Sequence, residues 1–542
     1  MKKLNGILLF LIIVLGGFLR LYGLSSSPPS LNWDEAALGY NAYSVSETLR
    51  DEYGKVLPIF TRSFDEYKSA LPLYMMMPFI KIFGLNEIAV RLPSALLGTF
   101  SILIVFLLAK EMFKSRLIAL SSAFVFAIEP WAVHFARTSQ EANTALFFLL
   151  LGVLLFLYSK KHHSLLPVAM ASFMVSMYTY NANKIIVPIL LLLALLGARE
   201  PLHYPRRVIK LSLAVVVFFA VPFIVLALKG EAFARVTSTN IFVLWRDAPL
   251  GLSAEHKLPP AINFFVHNDI FYFVWDVVAR YFSYFSPHNL FLRESAEPVT
   301  VIAENSMFHP FEFVFWVVGL AFLIKNFKRH KELLLVMLVS PIPAMMTWNW
   351  FQPLRAMSLF WVFSILVGVG VGKSVEHIKP FGAKLFLIFS IVAMGVGSAA
   401  FLFDSIMVHL PLRDSGNWQP GFRETVPTVY ELSEDYEQVI VDSPHAQPYI
   451  FYLFYSAYPP SRYLKEIDPE KINPPRKFYD FGKFKFRKIY WPEDRNIKNT
   501  LFVGDEFSLP QHDIETQPNA KVLQEFEGDD GNIFAKFVST EE

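Results

Sequence analysis

Long apolar stretches separated by short basic loops leave this chain few options: it must cross a lipid bilayer many times. About 20 apolar residues span the hydrocarbon core as a helix, and fewer suffice where neighbouring helices shield the ends. Helices fit because lipid offers no water, so the backbone must satisfy its own polar groups. Candidate spans run approximately Ile7–Leu24, Leu92–Ala109, Leu117–Ala132, Ala142–Tyr158, Leu165–Tyr178 and Ile185–Ala198. Val208–Leu228, Phe311–Ile324, Leu333–Met346, Ala356–Val371 and Phe381–Phe403 bring the count to about eleven. Composition agrees: 54% of the 542 residues are hydrophobic and 18% are charged, against about a quarter charged in ordinary soluble domains.

The first apolar run follows Lys2 and Lys3, like a signal peptide, but no small-x-small site follows it. Pro28 and Pro29 stand where cleavage would occur, which favours an uncleaved first span. With a cytoplasmic N-terminus, the basic clusters Lys110/Lys114/Arg116, Lys160/Lys161, Arg199/Arg206/Arg207, Lys325/Lys328/Arg329/Lys331 and Lys373/Lys379 all fall on the inner side. The segments Ser25–Arg91, the large loop 229–310 and everything after Asp404 then face outward. From about Leu412 the hydropathy falls, and Tyr436–Val441, Phe484–Tyr490, Thr500–Val503 and Ile533–Val538 read as short strands. Gly528–Asn532 has the composition of a hairpin turn. The expected architecture is an all-α polytopic core over 1–410 with a small extracytoplasmic α/β domain over 411–542. The expected location is the cell membrane.

Several chemistries are excluded or unsupported. The chain has no cysteine, hence no disulfide, thiolate metal site or cysteine nucleophile. A net charge of +2 gives no reason to expect a nucleic-acid partner. There is no Walker loop and no strand–GxGxxG–helix unit, so nucleotide binding has no support. His134, His267, His288, His309 and His445 are scattered without ligand spacing.

The most informative stretch is the outer loop 25–91, which carries Asn32-Trp33-Asp34-Glu35 just after the first span. Two adjacent carboxylates at a helix start are stabilised by the helix dipole whatever their role. They are also what a general base at the membrane surface requires, and such a pair could ligate a divalent ion, though nothing in the sequence demands one. Ala36–Arg50 and Ser69–Phe83 read as amphipathic helices lying on the interface, suiting a substrate that arrives through the bilayer. Lys68, Arg91, Arg137, Lys184 and Arg355 recur at outer membrane edges, where cations are otherwise scarce. Each could snorkel to headgroups, or together they could bind a lipid phosphate and stabilise it as it leaves. Arg137 and Glu141 lie four apart, the spacing of a helical ion pair. Arg20 sits near the outer edge of the first span and could serve either purpose.

Several segments together carry a resemblance. They are Arg20–Leu24 with Trp33–Glu35, Phe64–Tyr74, Ala89–Ser94, Glu129–Asn143, Tyr178–Lys184 with Val187-Pro188, and Tyr281–Pro287. In this order and topology the chain resembles the dolichyl-phosphate-mannose protein mannosyltransferases and the bacterial lipid A aminoarabinose transferases. The resemblance implies a C-type glycosyltransferase architecture with a catalytic first outer loop. It implies transfer of a sugar from a polyprenyl-phosphate donor to a hydroxyl of a protein, lipid-linked or glycan acceptor, with inversion. By it, Asp34 is the catalytic base and Glu35 its partner, while Lys68, Arg137 and Arg355 are contacts for the carrier phosphate. Arg91, Glu141 and Lys184 complete the candidate substrate-binding set. A transporter would instead show charges at mid-membrane and interrupted helices in two repeated halves, and the sequence shows neither. A scaffold would not explain a carboxylate pair accompanied by outer-edge cations.

Overall fold

The computed structural model describes residues 2–64, 66–197, 203–228, 230, 259, 269–292, 298–302, 304–413, 418–419, 421–443, 447–467, 480–527 and 533–541. Most of the large loop 229–310 and the expected turn at Gly528–Asn532 lie outside the described residues. In chain order the first helices are α1 (Lys2–Leu21), α2 (Trp33–Thr48), α3 (Leu71–Phe83), α4 (Glu87–Phe113) and α5 (Arg116–Ile128). Next come α6 (Pro130–Arg137), α7 (Glu141–Ser159), α8 (Leu166–Thr179), α9 (Asn183–Gly197) and α10 (Arg206–Leu228). They are followed by α11 (Asp269–Ser283), α12 (Glu312–Lys325), α13 (Phe327–Val339), α14 (Met357–His377) and α15 (Phe381–Asp404). The tail supplies α16 (Phe422–Leu432), α17 (Tyr449–Tyr455) and α18 (Pro460–Glu466). Strands β1 (Phe60–Ser63) and β2 (Glu66–Ser69) lie in the first outer loop. Strands β3 (Gln438–Val441), β4 (Phe484–Phe486), β5 (Thr500–Gly504), β6 (Ala520–Glu527) and β7 (Ile533–Thr540) lie in the tail.

The chain divides into two compact units. A helical unit joins Met1–Tyr22 to Ser94–Ser405, and a mixed unit joins Gly23–Pro93 to Ile406–Glu542. The sequence places a boundary near 410 and gives the first outer loop to the core; in the structure that loop folds with the tail.

Among the described residues, six helices are long and apolar enough to cross a membrane, or seven if the bent pair α5–α6 forms one span. The reading of about eleven also counts Leu165–Tyr178, Ile185–Ala198, Phe311–Ile324 and Leu333–Met346. These fold as α8, α9, α12 and α13, with 14, 15, 14 and 13 residues, short of a full hydrocarbon crossing unless neighbours shield their ends. Burying a helix face gains little in lipid, so close backbone approach through small residues takes over. A Cβ on Gly370 of α14 would stand 1.8 Å from the Phe315 carbonyl oxygen of α12. One on Gly368 would stand 2.1 Å from Ser122 Oγ of α5. Those two glycines let α14 lie directly on both neighbours.

The mixed unit is built on a five-stranded sheet in the order β4-β3-β5-β7-β6. β3 pairs in parallel with β4 and β5, while β7 runs antiparallel to β5 and β6. One face of the sheet shares a core with α2, α3 and α17 through residues such as Tyr40, Leu73, Phe451, Phe454, Phe484 and Phe537. The other face buries Ile440, Phe502 and Val538 against Trp491, Leu509 and Ile514. α2 is not the interfacial helix its position suggests. Every residue from Glu35 to Ala42 is buried, all the way round the helix, because α3 covers one side and the tail's α17 and α18 cover others. α3 keeps the expected two-sided character: Pro72, Leu73, Met76 and Ile80 are buried, while Ile82 and Phe83 are exposed.

Candidate active site

The start of α2 is fixed from the residues up. Asn32 caps the helix: its side-chain oxygen accepts from the Glu35 backbone N–H at 2.9 Å, and the Asn32 N–H donates to Glu35 Oε2 at 3.2 Å. This reciprocal capping box satisfies two N–H groups that a helix end otherwise leaves open. Glu35 is buried and meets Arg91 side-on, with Nε donating to Oε1 at 2.9 Å and Nη2 to Oε2 at 3.0 Å. Arg91 also donates to the carbonyls of Leu24 and Pro28 at 3.0 and 2.9 Å and of Ser30 at 2.5 Å. Those bonds use all five guanidinium N–H groups within the protein. The expectation that Arg91 contacts a substrate phosphate therefore gives way to a different job, stapling loop 24–30 to the first turn of α4.

Asp34 is placed differently from its neighbour. It sits in the first turn of α2, where the helix dipole stabilises negative charge. Its side chain keeps 37% exposure, while its partner Lys68, on β2, is 4% exposed. One carboxylate is thus committed to the fold, and the adjacent one is open on one side and paired on the other. Further along α2, the Asn41 amide donates at 2.8 Å to Glu52 Oε1 and accepts from the Glu52 backbone N–H at 2.8 Å, closing the loop after the helix. Tyr449 of α17 donates to the other Glu52 oxygen at 3.3 Å. Burial pushes the Glu52 carboxyl up to about 8.

The other candidates lie in the helical unit. Arg137, buried at the end of α6, donates to the carbonyls of Leu19 and Tyr22 at 2.9 and 2.7 Å, satisfying acceptors at the open C-terminus of α1. Arg20, also buried, donates to the carbonyls of Gly16, Ala127 and Phe126 at 2.9, 2.8 and 3.0 Å. Its place is therefore inside the protein and not among headgroups. Lys184, at the start of α9, bonds the Asn181 side chain and lies 5.5 Å from the Phe223 ring centre. Glu141 opens α7 and is buried, close enough to Lys184 to act on it electrostatically. Arg355 stands apart: its Nη1 is buried with no hydrogen-bond partner among the described residues, and so is Ser358 Oγ. Both residues line one cavity with Tyr180 and Asn183. Among the described residues no group of three or more His, Asp or Glu is placed to hold a metal ion.

Two buried carboxylates of this unit escaped the sequence reading. Glu129, at the α5–α6 bend, accepts from Trp131 Nε1 at 2.7 Å and Ser364 Oγ at 2.6 Å. Glu312 accepts from the His309 backbone N–H at 3.0 Å. The available signal was an ionisable residue within two positions of a proline at the edge of an apolar run, which in a membrane segment points to function or structure rather than chance.

Residues 68–226 match the family model for dolichyl-phosphate-mannose-protein mannosyltransferase. That match spans less than a third of the chain. The matched residues include Lys68, Arg91, Arg137, Glu141 and Lys184 but begin after Asp34 and Glu35. The chain is also 28% identical over 231 residues to "Putative mannosyltransferase YkcB" of Bacillus subtilis, a match covering 41% of this chain and 30% of that protein. Among solved structures it is similar to ArnT from Cupriavidus metallidurans bound to undecaprenyl phosphate, with a TM-score of 0.53 and 13% identity over 98% of this chain and 97% of that one. The apo form of the same protein gives a TM-score of 0.55 at 12% identity. At these identities the likeness is one of fold.

Proposed function

We propose that the chain is a membrane glycosyltransferase that moves a sugar from a polyprenyl-phosphate donor to an acceptor hydroxyl at the outer membrane face. The observation that carries this reading is the division of labour at the start of α2: Glu35 is consumed by Arg91 and the helix cap, leaving Asp34 paired with Lys68 and about a third exposed. In the reaction the acceptor oxygen attacks the anomeric carbon as the bond from that carbon to the phosphate oxygen breaks. The hydroxyl proton passes to Asp34, and the carrier leaves as a phosphate anion. Because the leaving group is already a stable anion, the base and the cations do most of the work. A positioned base contributes about 10²–10⁴ in rate, and fixed cations in a poorly hydrated site stabilise the departing charge. Attack opposite the leaving phosphate inverts the anomeric centre.

Lys68 joins the two tasks. It is buried, with Asp34 as its ion-pair partner, and a phosphate arriving beside it would draw its charge away and free the carboxylate. Arg355 supplies a buried N–H with no partner among the described residues, the group a phosphate oxygen would satisfy. Arg137 and Lys184 act as supporting cations, and Glu141 orients Lys184. The orientation follows from the basic loops, with the N-terminus cytoplasmic and the tail outside, and the shorter helices α8, α9, α12 and α13 complete a core of about eleven spans. The same composition and topology make the cell membrane the location.

The test uses the purified full chain in lipid with radiolabelled polyprenyl-phosphate sugars and a panel of protein, lipid-linked and glycan acceptors. Wild type and Asp34→Asn are compared with and without a chelator. Transfer by wild type that is lost in the variant, with both inserted equally, supports the reading. Undiminished turnover in the variant refutes Asp34 as base, and no turnover across the donor panel refutes the class. The chelator arm decides whether a divalent ion takes part.

A further inference from the structure

The helical unit contains a second site at its opposite end. At the end carrying the basic loops, a cavity of about 730 Å³ opens between the ends of α7, α9 and α13, within the roughly 300–1,000 Å³ of ordinary ligand pockets. Part of its wall is apolar, formed by Phe156 and Leu157 of α7 and by Leu190 and Leu193 of α9, and His163, His203 and Tyr204 add polar surface. Lys160 and Arg329, both exposed, line it too. Neither has an ion-pair or hydrogen-bond partner for its side chain among the described residues. Their neighbours Lys161 and Lys114, by contrast, both pair with Glu111. Glu332, also lining the cavity, offsets only one of the two cations. Arg329 is set by a break in α13: His330 leaves helical geometry, and its ring stacks on Phe113 at 4.8 Å. Trp361 of α14 lines the cavity as well, and its buried indole N–H has no acceptor among the described residues.

We propose that this cavity binds a phosphate-bearing diacyl lipid of the leaflet on the basic-loop side. Lys160 and Arg329 hold the phosphate, and an acyl chain lies along the α7 and α9 walls and reaches Trp361. A cavity with an apolar wall inside a membrane protein is filled by lipid chains, and cations lining it select the anionic headgroups of that leaflet. The snorkelling explanation, which suffices for isolated lysines at a membrane edge, does not account for two cations that line one partly apolar cavity. This inference rests on reading the helical unit as a membrane core and does not require the transferase reading.

The experiment places the full chain in nanodiscs of phosphatidylcholine doped with phosphatidylglycerol bearing brominated acyl chains. It follows the part of tryptophan quenching that disappears in Trp361→Phe. Brominated phosphatidylglycerol should quench this component at a lower mole fraction than brominated phosphatidylcholine. Lys160→Gln with Arg329→Gln should raise the mole fraction needed by about tenfold or more, the cost of losing charge-assisted hydrogen bonds. Lys161→Gln and Asp34→Asn should leave it unchanged. Ala194→Phe, which narrows the apolar wall without touching a charge, should also weaken quenching. Equal quenching by both lipids, or no loss in the double variant, overturns the proposal. Displacement of the lipid by inorganic phosphate alone, or by polyprenyl phosphate at stoichiometric amounts, overturns it in favour of a free anion or the carrier.

Discussion

The start of α2 and the helical unit handle charge in opposite ways. Around α2, Glu35 meets Arg91, Asp34 meets Lys68, and Glu87 meets Arg423 of α16 at 2.6 Å, all within the mixed unit. In the helical unit Arg355, Lys160 and Arg329 have no ion-pair partner among the described residues. A buried pair adds little net stability over an apolar pair, but removing one member leaves a stranded charge. It therefore specifies one arrangement strongly. An unpaired cation in an apolar setting specifies nothing until an anion arrives from outside. The mixed unit thus uses these pairs to hold a geometry, while the helical unit, beside its own pairs such as Lys161–Glu111, keeps three cations ready for a ligand.

The sharpest way to break this comparison is to exchange one member of each class. Asp34→Asn should lower transfer by about 10²–10⁴-fold while leaving the unfolding temperature in lipid close to wild type, because the site is 37% exposed and water can offset the lost charge beside Lys68. Glu35→Gln, one residue along, should do the reverse. Stranding the Arg91 guanidinium should destabilise the mixed unit by about 3–5 kcal/mol, read as a lower unfolding midpoint, and the residual activity should scale with the folded fraction. If Glu35→Gln is fully stable but inactive, the division of labour between the two carboxylates is wrong.

That division could not be read from Asp34-Glu35 alone. Adjacent acids at a helix start are equivalent until Arg91, 56 residues on, chooses one of them. The helices were legible because apolar composition is a local property: the expected spans all fold as helices, and most errors are in length. Strands β3, β5 and β7 were legible for the same reason, as short β-branched and aromatic runs. β6 was missed because Lys521, Gln524, Glu525 and Glu527 interrupt its hydrophobic signal. It is the outermost strand, paired only with β7 through two bulges, so little in its sequence must be apolar. The burial of α2 was hidden because the residues that cover it, from Tyr449 to Glu466, lie about four hundred positions away.

Arg355→Gln sharpens the other half of the comparison. Nη1 of Arg355 has no partner to lose among the described residues, so the variant should keep its stability. The half-saturating concentration of the polyprenyl-phosphate donor should rise by about 10–100-fold, the value of one or two hydrogen bonds to a charged group. The same measurement on Arg137→Gln should instead show reduced stability, because that guanidinium satisfies α1 carbonyls. A donor effect in Arg137→Gln without any loss of stability would make Arg137 a direct phosphate contact and not only a supporting cation.

The smallest effect concerns pH and separates fold from chemistry once more. Burial raises the Glu52 carboxyl to about 8, from its ordinary 4.5. For an acid raised in the folded state, the neutral form is favoured by folding. Its contribution to stability is fully present below the unfolded value near 4.5 and is lost progressively as pH rises through about 8. The mixed unit of wild type should therefore lose stability between roughly pH 5 and 8. Glu52→Gln should flatten that slope, since the amide keeps an acceptor for Asn41 and has no proton to lose. Asp34→Asn should leave the slope in place while removing activity at every pH. If the slope survives in Glu52→Gln, the titrating group lies elsewhere, and the loop closed by Asn41 and Glu52 is not what ties the stability of α2 to pH.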